Sequence, residues 1–334
     1  MNCVLCPLVQ PCPDPVTVAA AKGKRAKAIA IDFDETALNG NGKVTKELKK
    51  QLHYNEQEGI KNVALMGRGV DDVLDIVNAL DLDEVYVVCN NGCNGKKFVK
   101  NNEGTISAID LFTLTLDEEI VDAVAKLCEE STSPAGNFII TDNERYAILS
   151  DNSEIAAHQE AYVKLYQKNN NNVPITRGGI PNKATVNASV VLHPDKDIRQ
   201  KIVNDIVELS LTKGKSVHAT NLTKEPLVDV TPGDKGTGLL KLADILGMNV
   251  QDFVVFGDEA NDLSFLALVG FSVAMKNGIE KVKISATKIT TYSNRRNGVA
   301  KELAYMRKHG LLVTAGSEPP DITVGESFES VAAA

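Results

Sequence analysis

The sequence predicts an α/β protein in which one parallel sheet is built from both ends of the chain and split by an inserted α+β domain. Three observations carry this. From Ala26 onward, short apolar runs alternate with segments of helical spacing, the pattern of a parallel sheet covered on both faces. From about residue 92 the pattern changes to adjoining strands and longer helices. From about residue 229 the first pattern returns.

In the first section, "KAIAID" reads as a buried strand. "TKELKKQLHYNEQ" is a helix opened by Thr45 as N-cap, with Leu48 and Leu52 on one face. "KNVALMG" is a second strand, and "GVDDVLDIVNAL" a helix with Val70, Val73, Leu74, Val77 and Leu80 inward. "DEVYVVCNNG" is a third strand ending in an Asn-Gly turn signal. The middle section starts with the helix "TLDEEIVDAVAKLCEE", with Thr115 and Glu118 as a capping box. The strands "NFIIT" and "RYAILS" pair, and the helix "SEIAAHQEAYVKLYQK" follows them. A strand "ATVNASVVLH", a helix "DKDIRQKIVNDIVEL" and a strand "KSVHATN" complete the insert. In the last section "LVDVTP", "DFVVFGD" and "FSVAM" are strands, and "KGTGLLKLADILG", "DLSFLALV" and "GVAKELAYMRKHG" are helices. The expected boundaries are 24–91 and 229–310 for the core and 92–228 for the insert. A Pro-rich leader is expected over 1–23 and a flexible tail over 311–334.

Composition narrows the function. A net charge of −8 disfavours a nucleic-acid partner, which needs a basic face, and the absence of Trp with only 5% aromatics disfavours base stacking. A small phosphorylated ligand needs only a local positive site. No run of 18 apolar residues exists, so no membrane span is expected. Cys3, Cys6 and Cys12 lack a fourth ligand and a nearby His, which speaks against a zinc knuckle, and Cys89 and Cys93 read as buried thiols. The expected location is cytoplasmic, with reduced thiols. Arg177 in "TRGGIPNK" reads as part of a surface turn.

Four short motifs could carry chemistry. Asp32-x-Asp34-x-Thr36 closes the first strand. Alone it reads first as an ordinary turn, because Asp bonds its own backbone. Chemically, a carboxylate on a rigid strand end can attack phosphorus, and a second acid two residues on can shuttle the leaving-group proton. Two acids this close repel unless a divalent cation sits between them, so Mg²⁺ is the expected cofactor. "GDEAND" offers Asp258, Glu259, Asn261 and Asp262 as a hard-cation site, or equally an acidic helix start. Lys235 in "TPGDKGTG" could neutralise a transferring phosphoryl group, and Arg68 in "ALMGRG" could hold a substrate anion. Asp32, Gly67, Asn91 and Gly257 all fall at strand ends, which in such sheets converge on one edge.

Taken in order, these motifs resemble the haloacid dehalogenase superfamily, and most nearly its Cof-type sugar-phosphate phosphatases. "VAMKNG" and "ITTYSNRRNGVAKEL" resemble the closing segments of that subfamily, and the likeness covers about residues 26–308. The resemblance implies a Rossmann-like core with an inserted cap and a Mg²⁺-dependent phosphatase acting on small phosphorylated metabolites, with sugar phosphates expected. It makes Asp32 the nucleophile, Asp34 the general acid and base, and Lys235 the charge-neutralising residue. Thr36, Gly67, Arg68 and Asn261 would contact substrate. The metal would involve Asp32, Asp34 through its backbone carbonyl, and Asp258, with Asp262 supporting the shell. A phosphomutase on the same scaffold and a catalytically weak phospho-ligand-binding protein are the alternatives. Two departures favour the latter. Met66 stands where the family usually has Thr or Ser, and losing one donor to the transition state costs about 2.7–4 kcal/mol. Glu35 stands where the subfamily mostly has Gly.

Overall fold

A computed structural model describes residues 26–69, 73–130, 135–141, 144–169, 173–179, 182–222, 226–310 and 312. The expectations for the leader, the tail and Val70 fall outside the described residues. Five strands open the described chain: β1 (Ala28–Asp32), β2 (Lys61–Leu65), β3 (Glu84–Cys89), β4 (Asn94–Lys100) and β5 (Ile106–Thr113). Six follow: β6 (Gly136–Thr141), β7 (Arg145–Ile148), β8 (Thr176–Arg177), β9 (Val186–Leu192), β10 (His218–Asn221) and β11 (Leu227–Thr231). β12 (Phe253–Gly257), β13 (Phe271–Ala274) and β14 (Lys288–Ile289) close the series.

The first sheet has the order β14-β13-β12-β1-β2-β3-β4-β5. It is parallel from β14 to β3, and β4 and β5 return antiparallel. Every residue of β1 is buried, as a central strand covered on both faces demands. On one face lie the helices Lys46–Gln57, Leu74–Leu80 and Gly298–Lys308, through Leu48, Leu52, Ile76, Val77, Leu303 and Met306. On the other lie Lys235–Ile245, Leu263–Leu266 and Glu280–Ser285, through Leu239, Leu242, Phe265 and Val282. Thr45 caps the first helix as expected, its hydroxyl oxygen accepting from Leu48 N at 3.2 Å.

The second sheet has the order β10-β11-β9-β6-β7-β8 and is antiparallel except between β7 and β8. Helices Glu118–Glu130 and Lys196–Lys213 cover one face through Ile120, Val124, Ile202 and Ile206. Helix Ser153–Asn169 covers part of the other through Val163, Tyr162 and Tyr166.

The sheets divide the chain differently from the expected 92 and 229. The hairpin β4–β5 extends the first sheet, because the chain reverses immediately after β3 through Asn90, Asn91 and Gly92, all at positive φ. "LVDVTP" pairs antiparallel with β9 and β10, so it belongs to the second sheet. The crossings fall after β5 and after β11. The turn between β3 and β4 packs against the crossing after β11: a side chain at Gly92 would collide with the carbonyl oxygen of Asp234. Two smaller expectations change. Leu74 is 47% exposed, since the helix begins only there and turns Ile76, Val77 and Leu80 inward. Helix Glu118–Glu130 is entered through Asp117, whose carboxylate accepts from Glu119 N, in place of the expected Thr115 cap. Among the described residues no helix is long and apolar enough to cross a membrane.

Candidate active site

The carboxyl ends of β1, β2 and β12 and the start of helix Lys235–Ile245 meet at one edge of the first sheet. β1 delivers Asp32 there, 5% exposed. The chain then winds through one turn, Phe33–Ala37, closed by Leu38 N donating to Phe33 O at 2.9 Å. Glu35 sits at the left-handed corner of this turn, φ 59 and ψ 1. Only Gly takes that conformation without strain. The departure from Gly at position 35 is thus a local backbone cost.

Two asparagines fasten this turn. Asn277 Nδ2 donates to Glu35 O at 2.8 Å, and Asn294 Nδ2 donates to Leu38 O at 3.0 Å. Asn294 N in turn donates to Asn277 Oδ1 at 3.0 Å. Both lie in the closing segments noticed in the sequence, where nothing local marked them as supports of a loop more than 200 residues away.

β12 ends at Gly257 for a steric reason. A Cβ there would lie 2.7 Å from Asp262 Oδ2, so Gly lets Asp262 fold back onto its own strand end. Asp262 Oδ2 accepts from Asp258 N at 2.7 Å and from Glu259 N at 3.0 Å. Its other oxygen accepts from Lys235 Nζ at 2.7 Å. Lys235 opens its helix behind Asp234, which caps it by accepting from Thr237 N, and its ammonium also donates to Asp32 Oδ1 at 2.6 Å.

These groups are buried, and their charges do not balance. Asp32, Asp258 and Asp262 bring carboxylate oxygens within 4.8 Å of one another. Burial and the neighbouring Asp262 push Asp32 well above the usual carboxylate range, with Lys235 pulling it only partly back. Burial alone would lower Lys235, but Asp262 and Asp32 reverse this and hold its ammonium above the ordinary lysine value. Three carboxylates against one ammonium, all hard oxygen donors, fit a divalent cation such as Mg²⁺. Asp262 has both oxygens engaged as described, so Asp32 and Asp258, which line the cavity, fit the ion best.

The cavity over this edge has a volume of about 260 Å³ and is lined by Asp32, Asp34, Gly67, Lys235, Asp258 and Asn261 among others. Six of the sequence-predicted residues therefore meet in one space. Arg68 lies at the adjoining cavity and forks onto Asp34, Nε to Oδ2 at 2.9 Å and Nη2 to Oδ1 at 2.5 Å. Asn261 Nδ2 donates to Asn91 Oδ1 at 3.2 Å, and Asn91 Nδ2 donates closely to Asp229 on β11.

Thr36, expected to bind substrate, is 1% exposed and its hydroxyl donates to Asp258 Oδ1 at 2.8 Å, so it holds a carboxylate. Asp262, expected to support the metal shell, lies beside Asp32 and Asp258 and bonds Asp258 N and Lys235. Met66 is fully buried in the apolar cluster on the far face of the sheet. Its N donates to Val88 O and its carbonyl accepts from Asn91 N, so its backbone carries the turn. Cys89, Cys93 and Cys128 are buried thiols outside any disulfide, as read for the first two, and burial pushes Cys128 up to about 12. Arg177 is exposed and pairs with Glu160 at 2.9 Å. The sequence reading missed the residues that the second sheet and its helix turn toward this edge, Tyr162 and Asp229 among them. The spacing of Tyr162 and Tyr166, one helical turn apart, was the available signal.

Comparison with known proteins agrees with this geometry. The sequence pattern of haloacid dehalogenase-like hydrolases matches residues 29–303. The Bacillus subtilis protein YxeH is 28% identical, over 82% of this chain and 96% of its own length. The 5-amino-6-(5-phospho-D-ribitylamino)uracil phosphatase YwtE of Bacillus subtilis is 26% identical over the same shares. The fold is shared with the subclass IIB sugar phosphatase BT4131, at a TM-score of 0.66 and 19% identity over 86% of this chain and all of that one. It is also shared with BT1666 from Bacteroides thetaiotaomicron, at a TM-score of 0.65 and 18% identity over 92% of this chain and all of that one. With its motifs on the strand ends where the sequence put them, the chain belongs to the haloacid dehalogenase-like hydrolases and is an enzyme of the phosphoric monoester hydrolase class.

Proposed function

We propose that the protein is a Mg²⁺-dependent phosphatase of small phosphorylated metabolites that works through an aspartyl-phosphate. The observation that carries this is the contact of Asp32 with Lys235 at 2.6 Å on the floor of a cavity. A carboxylate held on a strand end beside a fixed ammonium is a positioned nucleophile whose attack brings no uncompensated charge. Asp32 and Asp258 would hold the ion, which when bound screens the anionic phosphoryl group from these carboxylates.

Asp32 attacks phosphorus, the ester P–O bond breaks, and the departing oxygen takes a proton from Asp34. Asp34 then takes a proton from water, whose oxygen attacks the phosphorus and frees Asp32. At rest Arg68 occupies both oxygens of Asp34. An arriving phosphoryl group competes for the guanidinium fork; the released Asp34 carboxylate takes up a proton from solvent, and this is the proton it passes to the departing oxygen. The second sheet with its helices acts as the cap, closing over the edge and excluding water. The names of two relatives, a ribitylaminouracil phosphatase and a sugar phosphatase, support a phosphorylated metabolite as substrate.

The test is Mg²⁺-dependent release of phosphate from para-nitrophenyl phosphate by the wild type, its loss in EDTA, and its loss in Asp32→Asn. Full activity of Asp32→Asn would overturn the assignment.

A further inference from the structure

Resting on the phosphatase reading above, we infer that His193 and Arg199 are positioning residues for the reaction: they hold the end of β10 as a wall of the catalytic cavity, and His193 does so only while its imidazole is neutral. Asn221, the last residue of β10, and Leu222 after it line that cavity together with Asp32, Asp34 and Lys235. These two come from the second sheet, whereas the other described lining residues belong to the catalytic edge of the first.

The strand end is tied to a neighbouring turn. Both polar atoms of the Asn221 amide face the helix Lys196–Lys213: Arg199 Nε donates to Oδ1 at 2.9 Å, and Nδ2 donates to Lys196 O at 3.3 Å. Arg199 is buried, and its Nη1 also donates to His193 O at 2.7 Å and to Pro194 O at 2.9 Å. One guanidinium thus joins the wall of the cavity to the turn that follows β9. His193, itself buried, fixes that turn by accepting from Asp195 N at Nδ1, 3.0 Å away. Asp195 then caps the helix, its Oδ1 accepting from Asp197 N at 2.8 Å and from Ile198 N at 3.1 Å.

The contact at Nδ1 needs a lone pair there, so only the neutral ring makes it. A protonated ring sets an N–H against the N–H of Asp195 and adds positive charge beside the buried guanidinium. The described charged or titratable groups facing the ring are Asp195 at the helix start, Arg199 in the first turns of that helix, and His158 on the helix Ser153–Asn169. Asp195 is the one anion among them, and its carboxylate already caps the helix. Burial lowers His193 below the ordinary 6.5, with Arg199 and His158 acting in the same direction and Asp195 against them. The unfolded chain therefore takes up this proton more readily than the folded protein does. The turn holds above about pH 6.5 and weakens as pH falls below it. A loosened strand end opens the cavity over Asp32 to water and costs turnover.

The test compares the pH profiles of para-nitrophenyl phosphate hydrolysis, with saturating Mg²⁺, for the wild type and His193→Asn. The Asn amide oxygen replaces Nδ1 as an acceptor and does not titrate. The ester and Asp34 titrate alike in both proteins, so the ratio of kcat/KM, variant over wild type, reports on His193. That ratio should rise at least fivefold from pH 7.5 to pH 5.0. Arg199→Lys keeps the charge and loses the fork to Asn221. In that background the ratio should stay within about twofold over the same range, because the tie between turn and wall is gone. Hydrogen exchange of the wild type keeps the test open if a variant fails to fold. Protection of the amides of Asp195 and of residues 218–222, corrected for the intrinsic effect of pH, should fall at least fivefold relative to β1 between pH 7.5 and pH 5.0. A ratio that stays flat or falls, a rise that persists in Arg199→Lys, or unchanged protection overturns the inference, while phosphate release at pH 7.5 leaves the phosphatase reading intact. No release at any pH overturns the phosphatase reading and the positioning role with it.

Discussion

Lys235 Nζ lies 2.6 Å from Asp32 Oδ1, with both side chains buried. The two are 203 positions apart in sequence, and the contact joins the end of β1 to the start of the helix that follows β11. Removing the ammonium leaves Asp32 and Asp262 buried together with no cation between them. Lys235→Met should therefore abolish turnover. In metal-free buffer it should also cost on the order of 3–5 kcal/mol of stability, read from denaturant midpoints. Added Mg²⁺ should recover part of that loss, because it supplies positive charge to the same carboxylates.

Glu35 takes φ 59 inside the catalytic turn. A non-Gly residue held there costs on the order of 1–3 kcal/mol, and Gly returns some of this to chain entropy. Glu35→Gly should stabilise the protein by up to about 1 kcal/mol, read as a raised melting temperature. A drop in melting temperature would mean that contacts of the Glu side chain outweigh the backbone strain.

Met66 occupies the position where the family usually places a hydroxyl, but its side chain is buried in the apolar cluster of the far face. Met66→Thr should lower stability by about 1–3 kcal/mol, since the hydroxyl is buried and packing is lost. Its effect on kcat should stay within about threefold. A gain of a hundredfold would show that a missing hydroxyl limits the rate after all.

Glu84 joins β2, β3 and β4 by accepting from Lys61 Nζ at 2.7 Å and pairing with Lys97 Nζ at 2.5 Å. Burial pushes its carboxyl up, but the hydrogen bonds from the two lysines override this and leave it at about 2, against an ordinary 4.5. The folded state thus binds this proton less readily than the unfolded chain. The stabilisation is present above pH 4.5 and is lost as pH falls through about 2. Glu84→Gln should lower the melting temperature at neutral pH, and the gap to the wild type should close across that window. A gap independent of pH would assign the effect to packing.

The parts of the site that the sequence revealed were those where residue type and local setting suffice. Asp32, Asp34 and Asp258 follow apolar runs that could only be strands, and strands of a parallel sheet share one catalytic edge. Sheet membership was less legible. "LVDVTP" is as apolar as a core strand, and only its antiparallel partners β9 and β10 place it in the second sheet. The contact of Thr36 with Asp258 depends on side-chain direction, which no spacing encodes. Gly257 was legible only as a strand end, and the room it makes for Asp262 was not. Asn277 and Asn294 act on a loop far away in sequence, and amide residues in a closing segment look like ordinary turn formers.

The central claim is that the carboxylate of Asp32 takes the phosphoryl group. Wild-type protein turning over para-nitrophenyl phosphate with Mg²⁺ can be quenched with borohydride, which reduces an acyl phosphate to an alcohol, and its peptides mapped by mass. Homoserine at position 32, absent when ester or Mg²⁺ is omitted, is the predicted result. Steady phosphate release with an unmodified Asp32, or with homoserine at another acidic residue, would contradict it.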